Sequence, residues 1–400
     1  MSIRIKIART EKELSDVYRL RYQVYSEQGH FAEKYDGAVV DLFDAIPSVA
    51  NIIAYSDDTP VATIRVNRDS TLQLPSDHSF DFSSYRQKIT IQEQVAGRPA
   101  PVFASAGMLA IVAQWRNRRN VFGGLFRMAV DIGHMWGVTH IIATVNSDTS
   151  GIYQRLGWER LSEPLQLGSL GVEITPFVTP MEPMYRWAFG MFKEQKDLLD
   201  HFSGSFQWLL VDAGTEIFAQ DEAGDEAFLI TKGGIDITRY HEPSDRTLRL
   251  AKLGAGDMFG ELSLIDSSPR SASAVASRNT ELVVINRETF WQKSNEDPSR
   301  LKDLMQILSS RLRDANNLSM IYAYAPLAER LAYFTDMVRK AAIPDPRDPT
   351  ILKSRVSLQE FAEMALAPVE EAQSYLEILK NQKLLEYSTR HITFFGDEAK

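Results

Sequence analysis

The sequence contains no cysteine, and this absence removes several kinds of chemistry at once. Disulfide bonds, a thiolate nucleophile and a cysteine-ligated zinc site all require that side chain. Seven histidines are present, but none lies in the His-Glu-x-x-His spacing of a catalytic zinc site. We therefore expect neither thiol nor metal chemistry from this protein.

Long hydrophobic runs and a strongly basic charge are also missing. No apolar stretch reaches the roughly 18 residues of a membrane-spanning helix. The N-terminus alternates polar and apolar side chains, as a β-strand does and a signal peptide does not. These features predict a cytoplasmic protein without membrane contact. The net charge of −9 argues against binding a polyanion over the whole surface, although a local basic patch is compatible with it.

Length and patterning predict a multidomain α+β protein. A chain of 400 residues exceeds what one hydrophobic core supports, and no internal repeat is visible. Up to about residue 189, the predicted strands are 51–55, 61–66, 102–105 and 141–145, and the predicted helices are 11–25, 122–134 and 150–156. From about 196 to 287, short strands separated by glycines predict a compact antiparallel β barrel or roll.

The last third of the chain opens with a long predicted helix. Asp297 can cap this helix and Pro298 suits its first position. Its apolar residues repeat every seven positions and include Leu301, Met305, Leu308, Leu312, Ala315 and Tyr322. Such a seam predicts a parallel homodimer through residues 298–322. The alternative is that this face packs on the protein's own β roll.

Residues 357–395 predict a winged helix-turn-helix. Ser357 and Glu360 form a capping box ahead of one helix, and Pro368 opens a second helix that ends near Lys383. Two predicted strands, 385–388 and 391–395, follow. Helix, turn, helix and hairpin in this order are typical of that DNA-binding fold.

The most informative segment is 254–265, GAGDMFGELSLI, which is followed by PRSA at 269–272. Gly260 allows close approach of the backbone, and the turn begun by Glu261 offers amides to an anion. Arg270 can contact phosphate oxygens, and Ser271 can donate a hydrogen bond to them. Glu261 can accept a hydrogen bond from a ribose hydroxyl. These residue types predict a site for a cyclic phosphate diester.

This segment resembles the phosphate-binding cassette of cyclic-nucleotide-binding domains. The match covers Phe259, Gly260, Glu261, Leu262, Ser263, Leu264, Pro269, Arg270, Ser271 and Ala272. The resemblance implies a cyclic nucleotide, with cAMP as the usual effector of the family, held chiefly by Glu261 and Arg270. The alternative is a degenerate roll in which these two residues merely pair with each other.

The segment RLRDANN at 311–317 resembles the long helix of the catabolite activator proteins. The resemblance implies that Asn316 and Asn317 contact the base. An amide can bond either an adenine or a guanine edge, so these residues leave the choice between cAMP and cGMP open. The alternative is a pair of solvated asparagines.

The C-terminal region from about 301 to 396 also resembles the catabolite activator family. That family places arginines and one glutamate on the DNA-reading helix. This chain instead has Val369, Glu370, Glu371, Gln373, Ser374 and Glu377 there, with basic residues only at the far end. Carboxylates facing a duplex cost Coulomb energy, so DNA binding is doubtful. Arg390 and His391 could still contact phosphate, and a role in protein contacts or regulation suits the acidic helix better.

Residues 1–190 resemble the GNAT fold of N-acyltransferases, and more narrowly the autoinducer synthases and N-acyl amino acid synthases. The resemblance is carried by Arg21, Tyr22, Tyr25, Phe31, the DLFD run at 41–44 and Arg65. In that family the matching positions shape the acceptor pocket, which implies this role for Arg21, Tyr25, Phe31 and Arg65. Asp41 or Asp44 can serve as the catalytic base.

A second group of residues resembles the donor site of the same fold. Arg116, Arg118 and Arg119 precede Gly123, Gly124 and an apolar helix, an arrangement suited to the phosphates of acyl-CoA or acyl carrier protein. The run YQRLGW at 153–158 matches the closing element of the fold, which implies that Tyr153 protonates the leaving thiolate. One departure is clear: Ser105 and Met108 stand where the autoinducer branch has a glutamate and an arginine.

Together these patterns predict four segments: an acyltransferase-like domain at 1–190, a cyclic-nucleotide-binding roll at 196–295, a dimer helix at 297–325 and a winged helix at 326–400. The leading hypothesis is a cyclic-nucleotide-regulated N-acyltransferase that uses an acyl thioester and an amine, with gating through the connection at 191–200. The alternative is a transcription regulator that senses an acyl metabolite through its N-terminal domain.

Overall fold

The computed structural model describes residues 1–29, 37–167, 172–190, 202–298, 301–340, 342–345, 347–348 and 350–395. The chain folds as two compact units, Met1–Pro298 and Ser299–Lys400. The predicted acyltransferase-like domain and β roll therefore share one unit. Phe31 and the predicted gating connection at 191–200 lie outside the described residues.

The N-terminal part of the first unit, to residue 190, contains both strands and helices. Its strands are β1 Ser2–Ile7, β2 Val49–Ser56, β3 Thr59–Arg68, β4 Phe103–Ile111, β5 His140–Asn146, β6 Glu159–Arg160, β7 Leu165–Leu167 and β8 Val172–Pro180. Its helices are α1 Glu11–Glu27, α2 Ser83–Val95, α3 Arg119–Met135, α4 Ser150–Arg155 and α5 Met181–Phe189. Thr10 caps α1 through a capping box with Glu13, which explains where this helix begins.

The remainder of the first unit is the β roll. Its strands are β9 Gln207–Val211, β10 Glu216–Phe218, β11 Glu226–Lys232, β12 Gly234–His241, β13 Arg246–Gly254, β14 Met258–Phe259, β15 Ser273–Ala276 and β16 Thr280–Asn286. Two helices accompany them, α6 Leu262–Ile265 and α7 Arg287–Glu296. β10, β15, β12 and β13 form one sheet of the roll.

The other sheet of the roll continues into the N-terminal part without interruption. Its strand order is β14-β11-β16-β9-β1-β2-β3-β4-β5-β8-β6, with β7 paired to β8. β1 pairs antiparallel with β2 on one side and with β9 on the other. Ile3 lies opposite Leu210, and Ile5 lies opposite Trp208. A backbone ladder thus joins the two predicted domains directly.

Both faces of β9 are buried, because each face belongs to a different core. Successive side chains of a strand point to opposite faces. Leu209 and Val211 lie in the core of the roll. On the other face, α3 packs on the β1–β9 junction, where a Cβ added to Gly124 would lie 2.4 Å from Ile5 Cδ1 and 3.7 Å from Leu210 Cδ1. The missing side chain at Gly124 therefore allows α3 to approach this junction closely.

Polar contacts also fix α3 to the roll. Arg127 pairs with Glu281 of β16. The buried carboxylate of Asp131 accepts hydrogen bonds from the Ser203 hydroxyl at 2.7 Å and the Gly204 amide at 2.6 Å. Removing such a carboxylate would leave buried donors unsatisfied, at about 1–3 kcal/mol each.

The second unit contains helices α8 Leu301–Tyr324, α9 Leu327–Lys340, α10 Leu358–Met364 and α11 Val369–Asn381, and strands β17 Ile343–Pro344, β18 Leu352–Ser354, β19 Leu385–Tyr387 and β20 Ile392–Phe394. The predicted capping box of Ser357 and Glu360 is formed at the start of α10. Its core includes Leu331, Phe334, Phe361, Leu376 and Ile392. Helix, turn, helix and hairpin occur in the order that the sequence predicts.

One prediction about the long helix needs correction. The helix α7 that precedes it, with Asp297 as its C-terminal cap residue, was not predicted. Tyr322 does not continue an exposed seam, because its ring stacks 5.7 Å from that of Phe334 and its hydroxyl donates to the Met364 carbonyl at 2.8 Å. Met305 and Leu312, by contrast, are 64% and 63% exposed. A seven-residue repeat cannot tell an intramolecular core contact from an intermolecular one.

The shared sheet predicts that the roll and the N-terminal part of the first unit unfold together. Leu210→Ala should destabilise the unit by about 2–4 kcal/mol, because Leu210 is buried at the junction. All six tryptophans lie between Trp115 and Trp291, so urea unfolding followed by tryptophan fluorescence reports on this unit alone. Leu250→Ala, at an exposed position of β13, is the control and should change stability by less than about 0.5 kcal/mol. Two separate fluorescence transitions, only one of them shifted, would contradict the prediction.

Candidate functional site

Arg270 lies at the centre of the predicted nucleotide cassette. Its Nη1 donates to the Glu226 carbonyl at 2.8 Å, to the Ser263 hydroxyl at 2.7 Å and to the Gly260 carbonyl at 3.2 Å. The guanidinium carbon lies 4.0 Å from the centre of the Phe218 ring. The guanidinium is thus buried and oriented by neutral oxygens and an aromatic face.

This guanidinium has the properties expected of an anion site. Burial lowers the pKa of Arg270, while the nearby carboxylates of Glu226, Glu222 and Asp225 act in the opposite direction. Its buried Nε has no hydrogen-bond partner. A Cβ at Gly224 would lie 2.4 Å from that nitrogen, so only glycine leaves this side of the guanidinium clear. A bound phosphate would supply the missing acceptor and relieve the cost of burying the charge.

The backbone of the cassette adopts the geometry that the sequence predicted. Gly260 has φ +70°, and a Cβ there would lie 2.8 Å from Arg270 Nη1, so both conformation and space require glycine. The Ser263 and Leu264 amides donate back to the Gly260 and Glu261 carbonyls and form the turn of α6. Glu261 is buried.

The remaining cassette residues divide between the core and the surface. Phe259 is buried, and its ring stacks 5.1 Å from that of Phe228. Leu262 and Ser271 are exposed. Ser263 is buried and holds Arg270 through its hydroxyl. The two predicted base readers, Asn316 and Asn317, are exposed on α8 in the second unit.

One residue that supports the cassette was not predicted from the sequence. Arg287 donates from Nε to the Ser263 carbonyl at 2.5 Å, and from Nη2 to the Asp266 carbonyl at 2.7 Å and the Gly224 carbonyl at 3.0 Å. It therefore ties both ends of α6 to the loop that faces Arg270. No motif marks this residue, because its partners are backbone oxygens that any sequence would supply.

In the N-terminal part, two of the predicted acceptor residues, Arg21 and Arg65, form an ion-pair cluster with the two predicted catalytic aspartates. Arg21 Nη1 donates to Asp44 at 2.9 Å, and Arg65 Nη1 donates to Asp44 at 2.9 Å and to Asp41 at 2.6 Å. Asp41 also caps the short turn Leu42–Asp44 by accepting from the Phe43 amide at 2.8 Å. The DLFD run thus folds as a turn that holds both arginines.

The two aspartates of this cluster differ in accessibility. The Asp44 side chain is 1% exposed, whereas that of Asp41 is 36% exposed. Burial acts to raise the pKa of Asp44, but the charges of Arg21 and Arg65 outweigh it and hold the pKa below its usual range. Asp44 is therefore an unsuitable proton acceptor and its carboxylate holds the cluster together. Asp41 is the carboxylate that a solute can reach.

Next to this cluster, the sheet opens between β4 and β5. The two parallel strands pair only from Phe103 opposite His140 to Ser105 opposite Ile142. β4 then continues to Ile111 on the β3 side alone, with a bulge at Met108, where φ is +51°. The edges of β4 and β5 that face each other beyond Ser105 therefore have no ladder between them, and backbone N–H and C=O groups are available to a ligand.

Two tyrosines accompany this opening. Tyr25 donates its hydroxyl to the Leu109 carbonyl at 3.3 Å, next to the bulge. Burial raises the pKa of Tyr25 to about 12. Burial also raises the pKa of Tyr153, and Tyr25 is near enough to raise it further. Tyr153 stacks on Phe177 at 5.7 Å, so its ring is held rigidly and its hydroxyl stays protonated well above neutral pH.

The predicted donor loop follows directly from the open end of β4. Arg116 Nε donates to the Ile111 carbonyl at 3.0 Å, and the Arg118 guanidinium lies 4.8 Å from the Trp115 ring centre. α3 begins at Arg119. The loop thus places basic residues and a helix N-terminus at the mouth of the opening.

The role expected for the two glycines needs correction. Gly123 and Gly124 lie in the second turn of α3, where amides are bonded within the helix, so they do not present free amides to phosphate. The unbonded amides of a helix belong to its first turn, here the residues that start at Arg119. Gly123 faces open space, whereas Gly124 faces the β1–β9 junction.

Ser105 does not replace the family's carboxylate. It is buried, and its hydroxyl lies 2.6 Å from that of Ser76. Among the described residues, no three histidine, aspartate or glutamate side chains gather as a metal site. In the same part of the chain, none of the helices is both long and apolar enough to span a bilayer.

These features define a protein in which an acyltransferase-like α/β domain with an open sheet edge is fused to a nucleotide-binding roll. Two family models match accordingly: N-acyl amino acid synthase FeeM over residues 16–179, and the cyclic nucleotide-binding domain over residues 209–297. The chain therefore joins a FeeM-type N-acyl amino acid synthase domain to a cyclic nucleotide-binding domain of the CRP/FNR type. The family resemblances and the multidomain α+β fold predicted from the sequence are confirmed.

Two known regulators are similar to part of this chain. The cyclic AMP receptor protein of Thermus thermophilus is 35% identical over 145 residues, which cover 36% of this chain and 65% of that protein. The CRP-like cAMP-activated global transcriptional regulator of Mycobacterium tuberculosis is 35% identical over 104 residues, which cover 26% of this chain and 46% of that protein. The chain therefore spans between about half and two thirds of these relatives.

Solved structures resemble each part. The catabolite activator protein of Thermus thermophilus has 28% identity and a TM-score of 0.30, over 51% of this chain and 91% of that one. FeeM, an N-acyl amino acid synthase from uncultured soil microbes, has 14% identity and a TM-score of 0.37, over 46% of this chain and 94% of that one.

The geometry of Arg270 predicts that this residue is essential for nucleotide binding. Saturating cAMP, at about 100 times its Kd, should stabilise the wild-type protein by about 2.7 kcal/mol. Arg270→Ala should abolish this stabilisation, because hydrogen bonds to a charged group contribute about 1.5–3 kcal/mol each. Thermal unfolding with and without cAMP measures it, and Arg239→Ala, at an exposed arginine of β12, is the control. Equal stabilisation of wild type and Arg270→Ala would remove the assignment.

Proposed function

We propose that this protein is an N-acyltransferase that moves an acyl group from a thioester to the amino group of an amino acid, and that a cyclic nucleotide regulates it. The observation that carries the proposal is that an open β4–β5 edge and a complete nucleotide cassette belong to one compact unit and one sheet. When a catalytic domain and an effector domain share one strand ladder, a conformational change in one of them is expected to alter the conformation of the other.

cAMP is the proposed effector. The names of both regulators described above refer to cyclic AMP, and the cassette contains the glutamate and the arginine that a cyclic ribose phosphate requires. Arg270 would bind the phosphate, Ser271 would donate to it, and Glu261 would accept from the ribose hydroxyl. Asn316 and Asn317 are the proposed contacts to the base.

The acyl donor, acyl-CoA or acyl carrier protein, is proposed to bind at the β4–β5 opening. Arg118, Arg119 and the first turn of α3 would hold its phosphates at the mouth. Its pantetheine amides would bond the unpaired edge of β4, and the acyl chain would extend toward an apolar cavity of about 20 Å³ lined by Ser105, Phe126, Trp158 and Met184 among others. The Met184 side chain is flexible and can adjust the volume of such a cavity.

In the proposed reaction, the amine nitrogen attacks the thioester carbonyl, the C–N bond forms and the C–S bond breaks. Asp41, the exposed carboxylate of the cluster, would take the proton that the amine loses, directly or through water. Tyr153 would donate its proton to the leaving thiolate. Arg21, Tyr25 and Arg65 would shape the acceptor pocket, with Asp44 holding both arginines in place. Phe31 is proposed to complete that pocket.

A homodimer through α8 is also proposed. Met305, Leu312 and Ala315 are exposed on this helix at the spacing of a coiled-coil seam. Solvated leucine and methionine side chains along one stripe favour a parallel partner helix.

The second candidate is a transcription regulator with an acyl-metabolite sensor. The observation in its favour is the complete helix, turn, helix and hairpin of the second unit. Against it, Glu370 and Glu371 are exposed at the start of α11, where a DNA-reading helix would need positive charge. The third carboxylate, Glu377, accepts from the Tyr387 hydroxyl at 2.7 Å.

Tyr153→Phe should lower kcat about 100-fold or more, because general acid catalysis contributes about that much. Burial raises the pKa of Tyr153, so its hydroxyl should stay protonated up to about pH 10. Deprotonation of Tyr153 should therefore not lower the wild-type rate at any pH below that value. Thiol release from a panel of acyl-CoA thioesters with amino acid acceptors measures the rate. Tyr85→Phe, at a second buried tyrosine of the same domain, is the control. A Tyr153→Phe variant as fast as wild type would exclude the proposed acid.

Thiol release should change about fivefold or more when cAMP is added, because coupling between two sites is commonly of that size. A parallel measurement of DNA retention at low salt separates the two candidate functions. Turnover that responds to cAMP supports the synthase. Salt-sensitive DNA retention without any turnover supports the regulator and contradicts the synthase.

A further inference from the structure

Glu226, the first residue of β11, connects the nucleotide site with the synthase domain. Its carbonyl accepts from Arg270 Nη1 at 2.8 Å. Its carboxylate accepts from Arg4 of β1, at 2.6 Å from Nη1 and 3.1 Å from Nη2. One residue of the roll therefore contacts the phosphate-binding arginine with its backbone and the synthase domain with its side chain.

Arg4 is followed in β1 by Ile5, which packs against the donor helix α3. Arg4 also donates to Gln207 of β9 at 3.1 Å, so it lies at the junction of the two domains. Its neighbour Ile5 points to the opposite face of β1 and is fully buried. Ile5 occupies the space that a side chain at Gly124 of α3 would need. Two hydrogen-bonded contacts and one packing contact thus separate Arg270 from the helix whose N-terminus faces the donor.

We infer that the Arg4–Glu226 ion pair transmits the occupancy of the nucleotide site to α3, so that cyclic nucleotide changes the affinity for the acyl donor. The inference rests on the proposed function, whose two ligands it connects. Arg270 Nη1 donates hydrogen bonds to Glu226, Gly260 and Ser263. A bound phosphate would compete with these three acceptors for the guanidinium. When Arg270 turns toward phosphate, the Glu226 carbonyl loses a donor and the start of β11 shifts together with the carboxylate that holds Arg4.

The same contacts indicate that nucleotide binding alters the donor site and not the acceptor site. The contacts run from Glu226 through β1 to α3, which carries the donor site at its N-terminus. Arg21, Asp44 and Arg65 are bound to one another in their own cluster on α1, the 41–44 turn and β3. Cyclic nucleotide should therefore change the affinity for the thioester and leave acceptor affinity nearly constant.

A second ion pair on β1 offers a matched control. Lys6 Nζ lies 2.6 Å from Glu13, as Arg4 does from Glu226. Lys6 and Glu13 are 29% and 15% exposed, compared with 33% and 22% for Arg4 and Glu226. Arg4 and Lys6 are on the same strand and the same face, but Lys6 and Glu13 belong to one domain, whereas Arg4 and Glu226 belong to two. A general effect of removing a charge from β1 would appear in both pairs.

The experiment is calorimetric titration of the full chain with cAMP, with and without saturating coenzyme A. By linkage, the factor by which coenzyme A changes cAMP affinity equals the factor by which cAMP changes coenzyme A affinity. In the wild-type protein, saturating coenzyme A should change the affinity for cAMP, so this factor should differ from one. Arg4→Met and Glu226→Gln should each reduce it about two- to fivefold, the contribution expected of a partly exposed pair. The double variant should show no further reduction, and Lys6→Met should keep the wild-type factor.

The following results would contradict the inference. The inference is overturned if Arg4→Met retains the wild-type coupling factor, or if Lys6→Met reduces that factor as much as Arg4→Met does. Neither result contradicts the proposed function. A wild-type protein that binds both ligands without mutual influence overturns the inference as well. A wild-type protein that fails to bind cAMP contradicts the proposed effector, and one that fails to bind coenzyme A contradicts acyl-CoA as the proposed donor; either result overturns the inference as well.

Discussion

The antiparallel ladder between β1 and β9 is the constraint on which the rest of the first unit depends. It pairs the first strand of the synthase domain with the first strand of the roll, from Ser2 opposite Val211 to Ile5 opposite Trp208. Ladder hydrogen bonds set the spacing of neighbouring strands to about 4.8 Å and fix their register. The two domains are therefore joined by backbone hydrogen bonds. A shift of β1 by one residue relative to β9 would turn the buried side chains of β1 to the opposite face of the sheet.

The two candidate sites lie on opposite sides of this ladder in the strand order of the sheet. On one side, the roll buries a guanidinium whose Nε has no partner and whose charge is costly without an anion. On the other side, β4 and β5 separate, and a basic loop and a helix N-terminus stand at the opening. α3 passes between them, held to the roll by Arg127 and Asp131 and packed on the ladder through Gly124. In the proposed function, an effector domain attached in this way would act on the position of the helix that the acyl donor contacts.

The sequence predicted what depends on neighbouring residues and missed what depends on distant ones. The cassette from Gly254 to Ala272 was readable because its glycine, acid and arginine are close together in the chain. The β1–β9 ladder joins residues about 200 positions apart, and nothing local marks it. The β4–β5 opening is an absence of pairing, which no residue type encodes. Glycines were ambiguous for the same reason: Gly260 serves a backbone conformation, whereas Gly124 serves a packing contact with a strand far away in sequence.

Hydrogen exchange of the full chain with and without cAMP tests most directly whether the ladder joins the two sites. The account predicts that the nucleotide slows exchange in the cassette and also in β1 and the first turns of α3, while α2, which lies outside the proposed route, keeps its exchange rate. Protection confined to residues 254–276, with β1 and α3 unchanged at saturating cAMP, would contradict it.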